Sequence, residues 1–427
     1  SPLARKTKML VTGNANPVAR FIPDDKLLYS SDTHSALRGK DGKLWTWSAI
    51  LAEDAEKDAK LGEYFQIAED GLPGLAAQEG ISCLGVNNDR TFYGILNGEY
   101  DAAADNHKNF MRDSLMAVLG LDGFSWWENR GFGYDERSLD FWTYGNSYLA
   151  SYITPGNNNE YNEIFFSGDI YNIWKKGAWQ VSQQSENEIN LGIVQAAMTD
   201  NFVLFLSDQG DIYAVGNNGS GQFGDGTTTG HTQNAPKLIE GLPKFKAIAV
   251  GEDVSKSAAF ALAIDFQGRV WSWGNNDYGQ LGLGYYGDST GSLTPQQLTA
   301  FSSPVVAIAC GYRHALAKTQ DGQVYGWGDN NRGQAGQSEI DGEGELVQKI
   351  VASPSRVAGL DNVFSIAAAA EHSLALLLYK EEQQDRTEIF VWGDNSSGQL
   401  TGKASEDIWT PFCLENPPKL LGNGSFK

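Results

Sequence analysis

Apolar and polar positions along the second half of the chain fall into a repeating order. An apolar run alternating with period two ends in Gly, a polar turn follows, and the turn closes on Gly-Gln. Four segments show it: DIYAVGNNGSGQFGDG from Asp211, RVWSWGNNDYGQLGLG from Arg269, QVYGWGDNNRGQAGQ from Gln323 and EIFVWGDNSSGQLTGK from Glu388. Alternation over four to six residues predicts a strand, and Gly with Asn or Asp predicts the turn after it. The strand ends Val215, Trp273, Trp327 and Trp392 lie 58, 54 and 65 residues apart. Short strands repeating at this interval predict the blades of a β-propeller.

A second half-motif precedes each segment. VVAIACGYRHALAKTQDG runs from Val305, VFSIAAAAEHSLALLL from Val363 and KAIAVGEDVSKSAAFALAIDFQG from Lys246. Each reads as a small-residue strand, a turn and a second apolar strand. Ala, Gly and Cys suit the innermost strand, where blades converge, and the Asp-Gly pairs suit the hairpin into the third strand. The first half carries the same signals more weakly, in SSDTHSALRGKDGKLWTWS from Ser30, GISCLGVNNDRTFYGILNG from Gly80 and the stretch Gly145 to Gly177. The expectation is a single all-β domain over 1–427: a seven-bladed β-propeller with four-stranded blades, clear repeats over 190–421 and divergent ones over 9–189. Met9–Thr12 is expected to close the ring on the last blade, an incomplete eighth blade being the alternative. An insertion over 100–141 interrupts the rhythm. In it NHKNFMRDSLMAVLGL reads as an amphipathic helix, and GFSWWENRGFGYDE follows. Two shorter inserts, near Glu53 and Glu339, are acidic.

Composition adds constraints on partners. With 41% hydrophobic and 20% charged residues the chain is ordinary globular material. Its formal net charge of -21 repels phosphate backbones and anionic lipid, so direct nucleic-acid binding is not expected and a basic protein surface is attracted. No apolar run approaches the ~18–20 residues of a membrane span. Cys83, Cys310 and Cys413 are too far apart for a CxxC metal site. The acidity and few cysteines lean towards an exported bacterial protein, monomeric on its own.

The pattern Gly-x-x-His, Asp-Gly, strand, Trp-Gly-x-Asn-x-x-Gly-Gln is clearest in CGYRHALAKTQDGQVYGWGDNNRGQAG. It resembles the repeat of the regulator of chromosome condensation family, strongly over about 190–420 and weakly over 9–190. That superfamily includes a nucleotide exchange factor for the small GTPase Ran, a plant ultraviolet photoreceptor, a bacterial β-lactamase inhibitor and many scaffolds, so the resemblance implies the fold and leaves function open. In the exchange factors, histidines of the Gly-x-x-His turn lie on the GTPase-facing side. The matching positions here are His34, His314 and His372; the other blades carry GVNN, TDNF and EDVSKS instead. Several of the twelve tryptophans are the strand Trp-Gly residues, which argues against a photoreceptor cluster.

Motifs of catalysis and cofactor binding dissolve on inspection. Two GxGxxG matches, at Gly219 and Gly282, follow strands but open no helix, and GxSxG around Ser289 sits in a polar loop. The five histidines include no HExxH pair, and the Asn/Asp turns lack the carboxylate that completes a calcium loop. No cofactor and no metal are expected. Phe124, Trp126, Trp127, Phe132 and Tyr134 stand apart from the repeats: they either pack the inserted helix on the rim or contact a partner. The expected function is a non-enzymatic protein–protein interaction module using face loops, the 100–141 insertion and the turn histidines. The alternatives are a guanine nucleotide exchange factor for a Ran-type GTPase and a carbohydrate-binding or adhesive ectodomain.

Overall fold

A computed structural model describes residues 193–199, 201–207, 209–231 and 236–414, together with twelve short strands between residues 6 and 191. Those strands are β1 (Lys6–Met9), β2 (Leu28–Ser30), β3 (Ser35–Arg38), β4 (Leu44–Trp47), β5 (Gln66–Ile67), β6 (Leu75–Gln78), β7 (Gly85–Val86), β8 (Phe92–Tyr93), β9 (Asp140–Tyr144), β10 (Ser147–Tyr152), β11 (Tyr161–Ser167) and β12 (Ile189–Leu191). Sixteen more follow. Blade A holds β13 (Ile193–Met198), β14 (Phe202–Ser207), β15 (Ile212–Gly216) and β16 (Lys237–Leu238), and blade B holds β17 (Phe245–Asp253), β18 (Ala258–Asp265), β19 (Val270–Gly274) and β20 (Ser292–Leu298). Blade C holds β21 (Val305–Cys310), β22 (His314–Thr319), β23 (Val324–Asp329) and β24 (Ile350–Arg356), and blade D holds β25 (Val363–Ala369), β26 (His372–Glu381), β27 (Gln384–Gly393) and β28 (Ile408–Cys413). Each blade is a four-stranded antiparallel meander. The fold is an all-β propeller.

Burial peaks at the second and third strands of each blade and explains the sequence pattern. First strands of successive blades lie against one another, β13 on β17, β17 on β21 and β21 on β25. Small side chains such as Ala307, Ala309 and Ala367 permit that approach. β25 in turn meets β2, which meets β7, while β9 meets both β7 and β13. Second strands are covered on both faces by neighbouring blades, so β14, β18 and β22 are buried at every position. β14 and β18 therefore read as near-continuous apolar runs, not as alternation, whereas β22 keeps polar residues at its ends. Of the outermost strands, β20 is largely exposed and β28 half-buried. Between blades the core is aliphatic and aromatic: Phe245 stacks on Trp273 at 6.0 Å, and Phe301 meets Trp327 at 5.9 Å.

Turn chemistry behaves as the Asp-Gly pairs predict. In the β22–β23 hairpin, Gly322 N donates to Thr319 O at 3.0 Å with φ +78°. In the β18–β19 hairpin, Asp265 accepts from the backbone of Gln267 and Arg269 and from Trp271 Nε1. The Gly at or next to the end of each third strand has a separate reason. Gly216, Gly274, Gly328 and Gly393 all have φ near +100°, and a Cβ at Gly328 would lie 2.4 Å from the Arg313 carbonyl oxygen. Gly328→Ala is expected to destabilise the chain by about 3 kcal/mol, from left-handed strain plus a backbone clash. Gly342→Ala, where a Cβ meets nothing within 4 Å, is the control. Urea unfolding of the two variants checks this; equal midpoints would refute it.

One expectation on topology differs from what is seen. Met9 does not extend the last blade: β1 runs parallel to β11 and antiparallel to β12, so both its edges are filled there, and the outer strand of blade D is β28. The described residues contain no helix. Residues 100–139 of the insertion lie outside the described residues, and its last two, Asp140 and Phe141, begin β9.

Candidate protein-binding face

In a four-stranded meander the turn between strands one and two and the loop between strands three and four emerge on the same side. That side of blades A to D forms the candidate site. Its loops are shaped by one recurring pair of side chains. Asn218, Asn276, Asn330 and Asn395 are each fully buried, as are Gln222, Gln280 and Gln399, with Gln334 at 1% exposure. Each Asn Oδ1 accepts from the backbone N–H five residues on, at Phe223, Leu281, Ala335 and Leu400. Each Asn Nδ2 donates across the loop, for example from Asn330 to the carbonyls of Gln337 and Gln348 at 2.8 and 2.7 Å. The Gln side chains accept from the backbone of Ser220, Tyr278, Arg332 and Ser397. A buried loop must satisfy its backbone groups internally, and this is how it does so.

The same turns join blade to blade. Trp273 Nε1 donates to Gln222 O at 2.8 Å, Trp327 Nε1 to Gln280 O at 2.9 Å and Trp392 Nε1 to Gln334 O at 3.0 Å. Ser373 Oγ also donates to Gln334 O, at 2.8 Å. Ser35 Oγ donates in the same way to Gln399 O, fastening blade D to the sheet of β2 to β6. So the Gly-Gln and Trp-Gly elements of the repeat are two ends of one contact.

The turn histidines belong to this scaffold and not to the binding surface, which corrects the expectation for His314 and His372. Both are 0% exposed at the start of second strands. His314 Nε2 lies 2.9 Å from Ser373 Oγ, and its ring fills the space a Cβ on Gly311 would need. Burial pushes the His314 pKa down to about 3, helped by His372, and that of His372 down to about 4. Neutral, enclosed imidazoles present no surface to a binding protein. His34 and the aromatic residues Phe124, Trp126, Trp127, Phe132 and Tyr134 lie outside the described residues.

What the face does present is a two-arginine network that sequence reading missed. Arg313 Nη2 is 2.9 Å from Asp329 and 2.7 Å from Glu371, Nη1 is 3.8 Å from Asp253, and the guanidinium lies 4.2 Å over the Tyr278 ring. Arg332 meets Glu371 at 2.9 Å, Asp407 at 3.1 Å and Asp394 at 3.8 Å. Burial works against the charge of Arg313, but Asp329, Tyr278, Asp253 and Glu371 outweigh it and hold its pKa above the usual value. For Asp407 burial wins over Arg332 and raises the carboxyl. These contacts bridge blades B, C and D and leave acidic charge in excess. The β23–β24 loop adds further carboxylates, Glu339, Asp341, Glu343 and Glu345, against Arg332 of the network and Lys349, which lies 3.7 Å from Glu345. Ile340 and Val347 of that loop are 56% and 50% exposed. Tyr285 and Tyr286 of the adjacent blade B loop are 53% and 52% exposed. Gly284 N of that blade B loop bonds Ala352 O in β24, so the loop lies against blade C.

The phosphate-type motifs occupy these same strand-to-strand loops. Gly219–Gly224 lies between β15 and β16, and Gly282–Gly287 between β19 and β20, with no helix beside either. The GxSxG serine, Ser289, also sits in the β19–β20 loop, with φ 62°.

Comparison with known proteins accords with this architecture. A family model described as "Regulator of chromosome condensation (RCC1) repeat" matches residues 209–255, 267–317 and 321–376, and a second model of that description matches 193–222, 252–280 and 305–334. Among solved structures, Prp20p from Saccharomyces cerevisiae is 17% identical with a TM-score of 0.50, over 97% of this chain and 87% of that one. Yeast RCC1 (Prp20) bound to Kap60 is 19% identical with a TM-score of 0.50, over 93% of this chain and 77% of that one. At such identity the likeness speaks for the fold. The mouse secretion-regulating guanine nucleotide exchange factor is 32% identical over 206 residues, 47% of this chain and 40% of that protein. The human E3 ubiquitin-protein ligase HERC2 is 30% identical over 222 residues, 51% of this chain and 4% of that protein. The chain thus matches less than half the length of these relatives.

Proposed function

We propose, for a chain that carries regulator of chromosome condensation repeats in a β-propeller, that it binds another protein, one with a basic surface, through the face described above. The observation that carries this reading is the joint exposure of Tyr285, Tyr286, Ile340 and Val347 among carboxylates that outnumber the neighbouring cations. Exposed aromatics supply anchoring area at an interface, and like-signed rim charges steer an oppositely charged partner. The Arg313 and Arg332 network holds the loops of three blades in a fixed arrangement, so little ordering remains to be done on binding. The aromatic cluster Phe124, Trp126, Trp127, Phe132 and Tyr134 is proposed as a further contact from the 100–141 insertion.

A direct test uses core histones as a basic probe and fluorescence anisotropy as the readout. Binding is expected to weaken with salt, and Tyr285→Ala with Tyr286→Ala to weaken it by about 1–3 kcal/mol, or roughly 5- to 150-fold. Unchanged affinity in the double variant would sink the assignment of this rim. Nucleotide exchange is the second reading, favoured by similarity to the mouse secretion-regulating guanine nucleotide exchange factor and to Prp20p, which binds Gsp1p and histones. Release of labelled GDP from a Ran-type GTPase decides it: no acceleration by this chain removes that reading.

A further inference from the structure

Two of the four buried loop asparagines stand in the acceptor sequence for N-linked glycosylation, Asn-x-Ser/Thr. These are Asn218-Gly219-Ser220 and Asn395-Ser396-Ser397. The equivalent Asn276-Asp277-Tyr278 and Asn330-Asn331-Arg332 hold their loops in the same way without the hydroxyl residue, so the Asn is there for the loop in all four blades. In the folded chain neither acceptor atom is available. Asn218 Nδ2 donates to the carbonyls of Thr227 and Thr229 at 3.0 and 3.1 Å. Asn395 Nδ2 donates to Lys403 O at 3.1 Å and Ser405 Oγ at 2.7 Å. Both side chains have zero exposure.

Glycan transfer forms a bond from Asn Nδ2 to C1 of a sugar carried on a polyisoprenoid diphosphate. The C1–oxygen bond to the diphosphate breaks, the lipid diphosphate leaves and Nδ2 gives up one proton. The product amide keeps one N–H where the loop uses two, and it carries a sugar where the protein leaves no space. Carbonyls that had been paired inside the loop would then be buried without a donor. We propose that Asn218 and Asn395 are concealed glycosylation acceptors, whose occupancy and this fold exclude each other. The chain is therefore suited to folding where no N-glycan is transferred, and in a glycosylating secretory compartment it is diverted from its native state by modification at these two sites.

The experiment sends the full chain, with Asn423→Gln to silence the remaining Asn-Gly-Ser sequence, through the secretory route of a eukaryotic cell behind a signal peptide. Expected are an endoglycosidase-sensitive mass increase mapped to Asn218 and Asn395, and retention in the cell. Ser220→Ala with Ser397→Ala keeps both asparagines and removes both acceptor sequences; this variant is expected to be released at about tenfold or more the parent level. Blocking synthesis of the lipid-linked donor is expected to release the unaltered sequence as well, which guards against a folding defect in the variant. Parent chain that is glycosylated at either site yet shows the protease resistance of cytosolically made protein overturns the proposal. So does parent chain released unmodified at the level of the variant. Neither outcome depends on the partner-binding face, so this idea and the binding proposal fail separately.

Discussion

Replacing Trp327 by alanine is expected to lower stability by about 3–5 kcal/mol, enough to unfold a sizeable fraction of a marginally stable domain. The indole has zero exposure and packs with Phe301 between blades B and C. Its removal leaves a cavity that the rigid sheets on either side cannot close, and it orphans the carbonyl of Gln280, which receives Nε1–H at 2.9 Å. Trp327→Phe separates the two contributions: it retains most of the packing and loses the hydrogen bond, so about 1–3 kcal/mol is expected. Chemical unfolding followed by circular dichroism measures both. An alanine variant that loses under 1.5 kcal/mol would show that the inter-blade contact is not a principal source of stability. Trp273 and Trp392 make the same contact with Gln222 and Gln334, and the same ordering is expected there.

Acid is the second large effect. His314 and His372 are enclosed as neutral rings, with pKa values of about 3 and about 4 against an ordinary 6.5. Below pH 6.5 the unfolded chain takes up protons that the folded chain refuses. Stability from these residues is therefore complete above about 6.5 and is lost as pH falls, until each imidazole titrates in the fold near 4 and 3. Each pH unit in that window costs about 1.4 kcal/mol per histidine, so acidification to pH 5 costs on the order of 4 kcal/mol for the pair. Asp407, whose carboxyl is raised by burial, acts in the opposite direction at lower pH, but it is more open to solvent. Unfolding free energies at pH 7.5, 6.5 and 5.0 test this. His314→Gln and His372→Gln are each expected to flatten the slope between 6.5 and 5.0 by about half. A slope unaltered in both variants would place the acid sensitivity elsewhere.

Much of the candidate face was legible as loops and little of it as a site. The acidic insert at Glu339 is visible in the sequence, and the structure puts Ile340 and Val347 on its surface. Tyr285 and Tyr286 were hidden inside a glycine motif that drew attention to phosphate binding. Arg313 and Arg332 gave no signal, because their partners Asp253, Glu371 and Asp407 come from other blades. The repeat histidines gave a misleading one. A residue recurring at one turn position is conspicuous whether the turn faces solvent or the next blade, and spacing does not distinguish the two.

The sequence by itself determined the strands, the turns and their repetition. Those rest on local physics: alternation along six residues, the left-handed φ of Gly328 or Gly393, and an Asp-Gly hairpin, all decided within one repeat. Only the tertiary structure decided which polar residues are buried and what they hold. Trp327 reaches a carbonyl 47 residues away, Trp392 one 58 away and Ser35 one 364 away. Contacts at such separation arise when sheets stack side by side, and stacking takes His314, Asn330 and Gln334 out of water together. A periodic sequence announces that blades exist; their mutual packing settles which of its recurring side chains are fastenings and which face solvent.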